Sequence, residues 1–239
     1  MNVFALGAVA LGLGVTAPVQ AVSNVRLEEG FSLPSLLEAP RLISEVNDVA
    51  QLLDALWYGS FELKEYGETI SSCSDYFDVR DRYAWLDAAA GGAPLMKLVA
   101  MCLAAQEIVS AKPARVSFIE FELVDEQLPS RLPAEMAFIT STAERERLLS
   151  GSESKTWAEV APIHSAEVLG PGRARFKHEG GTQEITVVAR GDFDNSGLEA
   201  LLIASLNTVE GGTYAAFKLF QVTRAAPGGP YILRKEYVY

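Results

Sequence analysis

The 239-residue chain carries 31 acidic against 20 basic side chains, a formal net charge of −11, with two histidines and two cysteines. Such a balance repels phosphate backbones, which proteins hold by neutralising them with Lys and Arg, and so argues against nucleic acid and toward basic proteins or divalent cations as charged partners. Two cysteines and two distant histidines, His164 and His178, have no zinc-ligand spacing.

Residues 1–21, MNVFALGAVALGLGVTAPVQA, contain no charged side chain, and Phe4 to Val15 form an apolar run of signal-peptide length. Val19-Gln20-Ala21 supplies small residues at a cleavage point, although a basic segment ahead of the run is missing. The reading is a removed leader, 1–21, and a single domain over 22–239 in the periplasm or the external medium. An uncleaved anchor is the competing reading. The run is shorter than the ~20 residues a bilayer span needs and is broken by Gly7, Gly12, Gly14 and Pro18, so no stable span is expected after cleavage.

From Pro40 to Trp57, Leu42, Val46, Val49, Leu53 and Leu56 recur at steps of three and four with Arg41, Glu45, Asp48 and Asp54 between them, which predicts an amphipathic helix. Ser35 and Glu38 have capping-box spacing upstream, and Gly59 can end the helix. A shorter helix is expected over Asp78 to Ala90, carrying Tyr83, Trp85 and Leu86. A third, from about Pro94 to Ala111, has almost no polar face and belongs in the centre of a core. It carries Cys102. In an oxidising compartment Cys102 pairs with Cys73, closing a loop of about 30 residues; otherwise Cys102 is a buried thiol and Cys73 a surface one.

Val116 to Leu123 is β-branched and aromatic enough for a strand. The stretch from Asp125 to Pro171 is the least periodic, with a helical turn near Ala143 to Leu149 and a Trp157 whose bulk calls for burial. From Arg173 onward five strands are expected, at 173–179, 183–190, 199–206, 213–223 and 231–238, with Gly-Gly pairs at the reversals. Helices first and hairpins afterwards define an α+β fold: a helical N-terminal half, about 35–112, packed on a C-terminal antiparallel β meander within a β-rich part, about 113–239.

One segment carries metal chemistry. Between two expected strands, Asp192, Asp194 and Ser196 place oxygen-bearing side chains at alternate positions, Gly197 permits a sharp reversal, and Leu198 can offer its carbonyl. Over about 13 residues the pattern resembles the calcium loop of the FG-GAP and VCBS-type secreted bacterial repeats. That resemblance implies calcium held by Asp192, Asp194, Ser196 and Leu198. The ninth position, acidic in the family, is Ala200 here, and Ile203 stands where an EF-hand needs its glutamate, so the loop is degenerate and calcium binding is expected to be weak or absent. The other reading is a turn held by Asx-type hydrogen bonds. The wider string, with Val-Val-Ala-Arg-Gly-Asp-Phe-Asp, Gly-Gly-Thr-Tyr and Leu-Phe-Gln-Val-Thr-Arg, is similar to a recurring family of exported bacterial proteins and implies a shared scaffold with no assigned activity.

Catalytic sets fail when tested. No Gly-x-Ser-x-Gly elbow occurs, and His178, beside a Gly-Gly turn, reads as solvent-facing rather than as a base. Arg190-Gly191-Asp192 spells an integrin-binding tripeptide, but the turn already accounts for its Asp. Carboxylate pairs remain, Asp192 with Asp194 and Glu120 with Glu122, and would serve a hydrolase acting on envelope polymers. The leading expectation is a non-enzymatic exported protein that binds a macromolecular partner, as an inhibitor or immunity-type protein does; a structural role is the third.

Overall fold

The computed structural model describes residues 20–41, 43, 45–63, 66–82, 92–119, 124–139, 141–150 and 155–237. Nearly all of the expected leader lies outside the described residues, as do Glu120, Glu122 and most of the expected second helix.

Two short strands open the described chain, β1 (Gln20–Ser23) and β2 (Arg26–Leu27). Turns of 3-10 helix follow at Leu33–Leu36 and Val46–Asp48, the second running into a four-residue helix, α1 (Ala50–Leu53). This broken path replaces the long helix expected over 40–57. Its backbone groups are spent across the chain instead: Leu37 bridges Trp57, the Glu38 N–H donates to the Leu56 carbonyl at 2.9 Å, and the Tyr58 N–H donates to the Leu36 carbonyl at 2.9 Å. Of the residues in the expected period Val49 is buried and Val46 and Leu53 half-buried, but Leu56 is exposed while Leu52, outside the period, is buried, so tertiary pairing overrides the pattern.

A hairpin comes next, β3 (Phe61–Leu63) with β4 (Glu68–Ile70). Helix α2 (Cys73–Arg82) starts five residues before the expected Asp78, because Ser72 caps it. The Ser72 hydroxyl accepts the Asp75 N–H at 3.0 Å, while the Asp75 carboxylate accepts the Ser71 N–H at 2.9 Å and the Ser71 hydroxyl at 2.8 Å. Helix α3 (Gly92–Ser110) matches its expectation closely. Strand β5 (Ala114–Ser117) is shorter than the expected one and pairs antiparallel with β1. The helical half expected over about 35–112 is therefore corrected: among the described residues one long helix stands there with short turns, a second helix and a hairpin.

Beyond β5 lie 3-10 turns at Leu128–Ser130 and Ala134–Met136, then α4 (Thr142–Leu149) and α5 (Trp157–Val160). Thr156 and Glu159 form a capping box at α5. The remaining strands are β6 (Ile163–Gly170), β7 (Arg173–His178), β8 (Gly181–Gly191), β9 (Ala200–Thr208), β10 (Ala215–Arg224) and β11 (Tyr231–Tyr237). They pair in sequence order, all antiparallel, as the expected meander extended by one strand, β6, on its near edge. Strand β2 joins the same sheet against the end of β8, where Arg26 faces Arg190 and Leu27 faces Ala189. A bulge between Val187 and Ala189 lets β8 serve both neighbours.

The sheet separates two cores. On one face α3 lies across β8 and β10, and its buried Leu95, Leu98, Val99 and Ala105 pack with Val188, Leu202 and Leu219. Cys102 of α3 is bonded to Cys73 at the start of α2, with Cα atoms 5.4 Å apart. Among the described residues α3 is the one helix long and apolar enough to cross a membrane, and here it is the central core helix. On the other face the irregular 119–161 stretch packs Leu128, Leu132, Met136 and Trp157 on Phe176, Ile185, Ile203 and Phe220.

Candidate functional site

The turn joining β8 to β9 contains every residue of the expected metal set. Asp192 is 4% exposed, and its Oδ2 accepts the Gly197 N–H at 2.9 Å. Asp194 Oδ1 accepts the Ser196 N–H at 3.1 Å, and the Ser196 hydroxyl accepts the Leu198 N–H at 3.2 Å. These are Asx-type and Ser-type turns, each closing two residues on. Asn195 with φ of 59° and Gly197 with φ of 84° make the reversal. A Cβ at Gly197 would meet only the exposed Arg115 guanidinium, which can swing aside, so glycine is favoured there by its φ and not by space.

The turn is clamped from outside by the segment entering β5. Lys112 and Asp192 exchange backbone hydrogen bonds at 3.0 Å in both directions; the Arg115 and Val116 N–H groups both donate to the Gly197 carbonyl; Val116 accepts from the Glu199 N–H at 2.8 Å. The fit to calcium is poor. Asp192 keeps one buried oxygen, Oδ1, without a hydrogen-bond partner, which a cation could take. The other donors are spent. Asp194 Oδ2 accepts from Arg234 at 3.0 and 3.1 Å, Ser196 is turned to the backbone, and Ala200 has no oxygen to offer. With Arg115 and Arg234 beside it, the turn has positive charge where a divalent cation needs carboxylates. Among the described residues no three His, Cys, Asp or Glu side chains come together to hold a metal ion. Burial pushes the Asp194 carboxyl up, but hydrogen bonds from Ser196 and Arg234 and the Arg234 charge outweigh it, so the carboxyl sits below its usual 3.8.

Next to the turn stands a residue that the motif passes over. Glu199 is 3% exposed; its two oxygens accept the Ser23 and Ser117 hydroxyls, each at 2.5 Å. Period-two alternation correctly turns Glu199 away from the loop. Its partners lie 176 and 82 residues away, so no local signal could have named them. Glu199 thereby ties β1, β5 and the sheet together. Arg190 is likewise buried and ion-pairs with Glu28 at 2.7 Å, so with Asp192 also interior the Arg-Gly-Asp tripeptide is a piece of the core.

His178 is buried, not solvent-facing: it is the last residue of β7 and points to the side on which Phe138 packs edge-on, ring centroids 5.8 Å apart. Its Nδ1 accepts the Gly180 N–H at 3.1 Å. Burial, with His164 adding to it, holds its pKa below the usual 6.5. Gly180 occupies the ring nitrogen that a base would use, so His178 serves the turn.

One surface feature has the chemistry of an interface. Trp57 is buried at 3% exposure while its neighbours Leu56 and Tyr58, pointing the other way by strand alternation, are 55% and 59% exposed. The three residues are held rigidly: the Trp57 N–H donates to the Ser71 carbonyl at 2.7 Å, and the residues on either side are bonded to the 36–38 segment as described. Around them the 37–63 segment carries Glu38, Glu45, Asp48, Asp54 and Glu62 against a single base, Arg41. None of these five carboxylates is in an ion pair among the described residues. Leu56 and Tyr58 thus stand exposed on a rigidly bonded segment whose charged residues are mainly acidic.

Neither protein-family models, curated proteins nor solved structures contain a match to the chain.

Proposed function

We propose that the protein is exported, periplasmic or secreted, and works without catalysis by binding a basic macromolecular partner, in the manner of an inhibitor or immunity-type protein. The observation that carries this is the Leu56–Tyr58 pair, exposed yet pinned through Trp57 on a segment, 37–63, whose charged residues are mainly acidic. Rigid exposed aromatics make interface anchors because little side-chain freedom is lost on docking, and a rim of one charge sign speeds encounter with the opposite sign. Export is supported by the Cys73–Cys102 bridge, which persists in oxidising compartments, and by the uncharged leader 1–21. The degenerate loop at Asp192 is a structural turn in this reading, with calcium at most weakly held.

A hydrolase using Asp192 and Asp194 has less behind it. Both carboxylates close the turn and Asp194 is paired with Arg234, so the pair offers no free acid and base.

The test is capture from a periplasmic extract on the immobilised oxidised protein, in parallel with Tyr58→Ala and Leu56→Asp. A basic protein retained by the parent, released by about 0.5 M salt, and lost from both variants is the expected result. Identical capture by parent and variants would remove the Leu56–Tyr58 face from the reading.

A further inference from the structure

A cleft of about 240 Å³ opens on the helix side of the sheet, between α3, strands β7 to β10 and the loop after β2. It shares strands β8 and β9 with the Asp192 turn but none of the turn's residues, and it includes neither Leu56 nor Tyr58. Its floor is apolar, made by Met101 of α3 with Leu206 and Phe217 of the sheet. One wall is Gly30, which rests directly on β8: a Cβ there would lie 2.2 Å from the Thr186 methyl and 2.3 Å from the Val187 carbonyl oxygen. Any side chain at 30 would push this wall off the sheet.

The charges around the floor divide into two kinds. Glu184 is satisfied, bonded to Arg173 at 2.7 Å and to Arg175 at 3.1 Å, which fixes the Arg173 guanidinium at the rim. Lys97, half-buried on α3 one turn before Met101, and Glu29, on the opposing loop, have no ion-pair partner among the described residues. Glu29 is exposed and Lys97 only half-buried, and a ligand that supplies the opposite charge to each gains charge-assisted hydrogen bonds. One unpaired cation and one unpaired anion flanking an apolar floor are the complement of a zwitterion with an apolar body.

We infer that this cleft binds a free α-amino acid with an apolar side chain. The ligand carboxylate meets Lys97, with Arg173 beside it; the ligand ammonium meets Glu29; the side chain lies on Phe217 and Leu206. The volume suits a ligand of this size, since it falls below the ~300 Å³ at which pockets for drug-sized ligands begin. The site is independent of the Leu56–Tyr58 face and stands or falls separately from it.

Calorimetric titration of the purified, oxidised protein with L-leucine and L-phenylalanine tests this, alongside N-acetyl-leucine, which lacks the ammonium, and leucinamide, which lacks the carboxylate. Saturable binding of at least one amino acid is expected, with the two blocked compounds at least about tenfold weaker, since each loses a charge-assisted contact. Lys97→Met and Glu29→Gln should each weaken the amino acid by a similar factor, while circular dichroism and the unliganded melting temperature stay at the parent's values. No saturable binding of either amino acid at about 10 mM, or equal binding of the blocked compounds, overturns the assignment. So does unchanged affinity in folded Lys97→Met protein.

Discussion

The two faces of the sheet are closed by different means. On the helix face a continuous apolar element, α3, is laid across β8 and β10 and tied by a disulfide to α2. On the opposite face there is no long element among the described residues. Short turns are tacked to the sheet through hydrogen bonds between distant segments. Gln183, fully buried on β8, accepts the Phe138 N–H at 3.0 Å and donates to the Met136 carbonyl at 2.7 Å and to the Ser205 hydroxyl at 3.0 Å. The Trp157 N–H donates to the Leu132 carbonyl at 2.8 Å, and the Tyr231 N–H to the Arg131 carbonyl at 3.1 Å. One face thus depends on burial and a covalent link, the other on a few large side chains and a polar network that must be complete to be worth its desolvation.

The sharpest way to break that contrast is Trp157→Ala. Trp157 is fully buried and packs edge-on against Phe176 with centroids 5.2 Å apart, so truncation should cost about 3–5 kcal/mol, read as a lowered urea midpoint. Loss of less than about 1 kcal/mol would mean that the irregular face collapses around the void and is looser than its contacts imply.

Cutting the covalent link is expected to come next. For the 29-residue separation of Cys73 and Cys102, a Cys73→Ala/Cys102→Ala double variant should lose about 3–4 kcal/mol, chiefly by freeing the unfolded chain. Thiol titration of the unreduced, denatured parent should find no free thiol, and two reactive thiols would contradict the bridge.

The turn between β8 and β9 should respond less. Asp192→Ala leaves the buried Gly197 N–H without its acceptor and should cost about 1–2 kcal/mol. Millimolar calcium should raise the melting temperature of a chelator-washed sample by less than about 2 °C, because Arg234 and Ala200 leave too few ligands. A large saturable shift, abolished by Asp192→Ala, would restore the calcium reading.

The smallest effect separates the faces by pH. Burial on the irregular face lowers the folded pKa of His178 below 6.5, so the unfolded chain takes up a proton that the folded one resists. The stability this contributes is complete above about pH 6.5 and is lost as the pH falls through the folded pKa. Asp75 and Asp194, also lowered from 3.8, keep their contribution above that value, so both stay ionised over pH 7.5 to 5. Melting temperatures from pH 7.5 to 5 should fall in the parent and flatten in His178→Phe. Equal slopes would show that His178 ionises freely in the folded state.

Much of this molecule was legible before any coordinates. The meander, α3, the burial of Trp157 and the Cys73–Cys102 pairing all follow from patterns within a few residues or from compartment chemistry. The failures share a cause. The 40–57 helix is absent because Leu37 and Trp57 claim each other's backbone, and the inward turn of His178 reflects Phe138, forty residues upstream. Glu199 is invisible for the same reason, its partners being Ser23 and Ser117.

Sequence alone determined where the chain could alternate or coil, because hydrophobic period and glycine placement act locally. Only the tertiary structure decided which carboxylates are spent and which remain free. Glu184 and Asp194 are neutralised by Arg173 and Arg234, whereas among the described residues Glu29 and the acids of the 37–63 segment have no ion-pair partner. Charge compensation is set by distances of a few ångströms between remote segments, and no linear spacing encodes those distances.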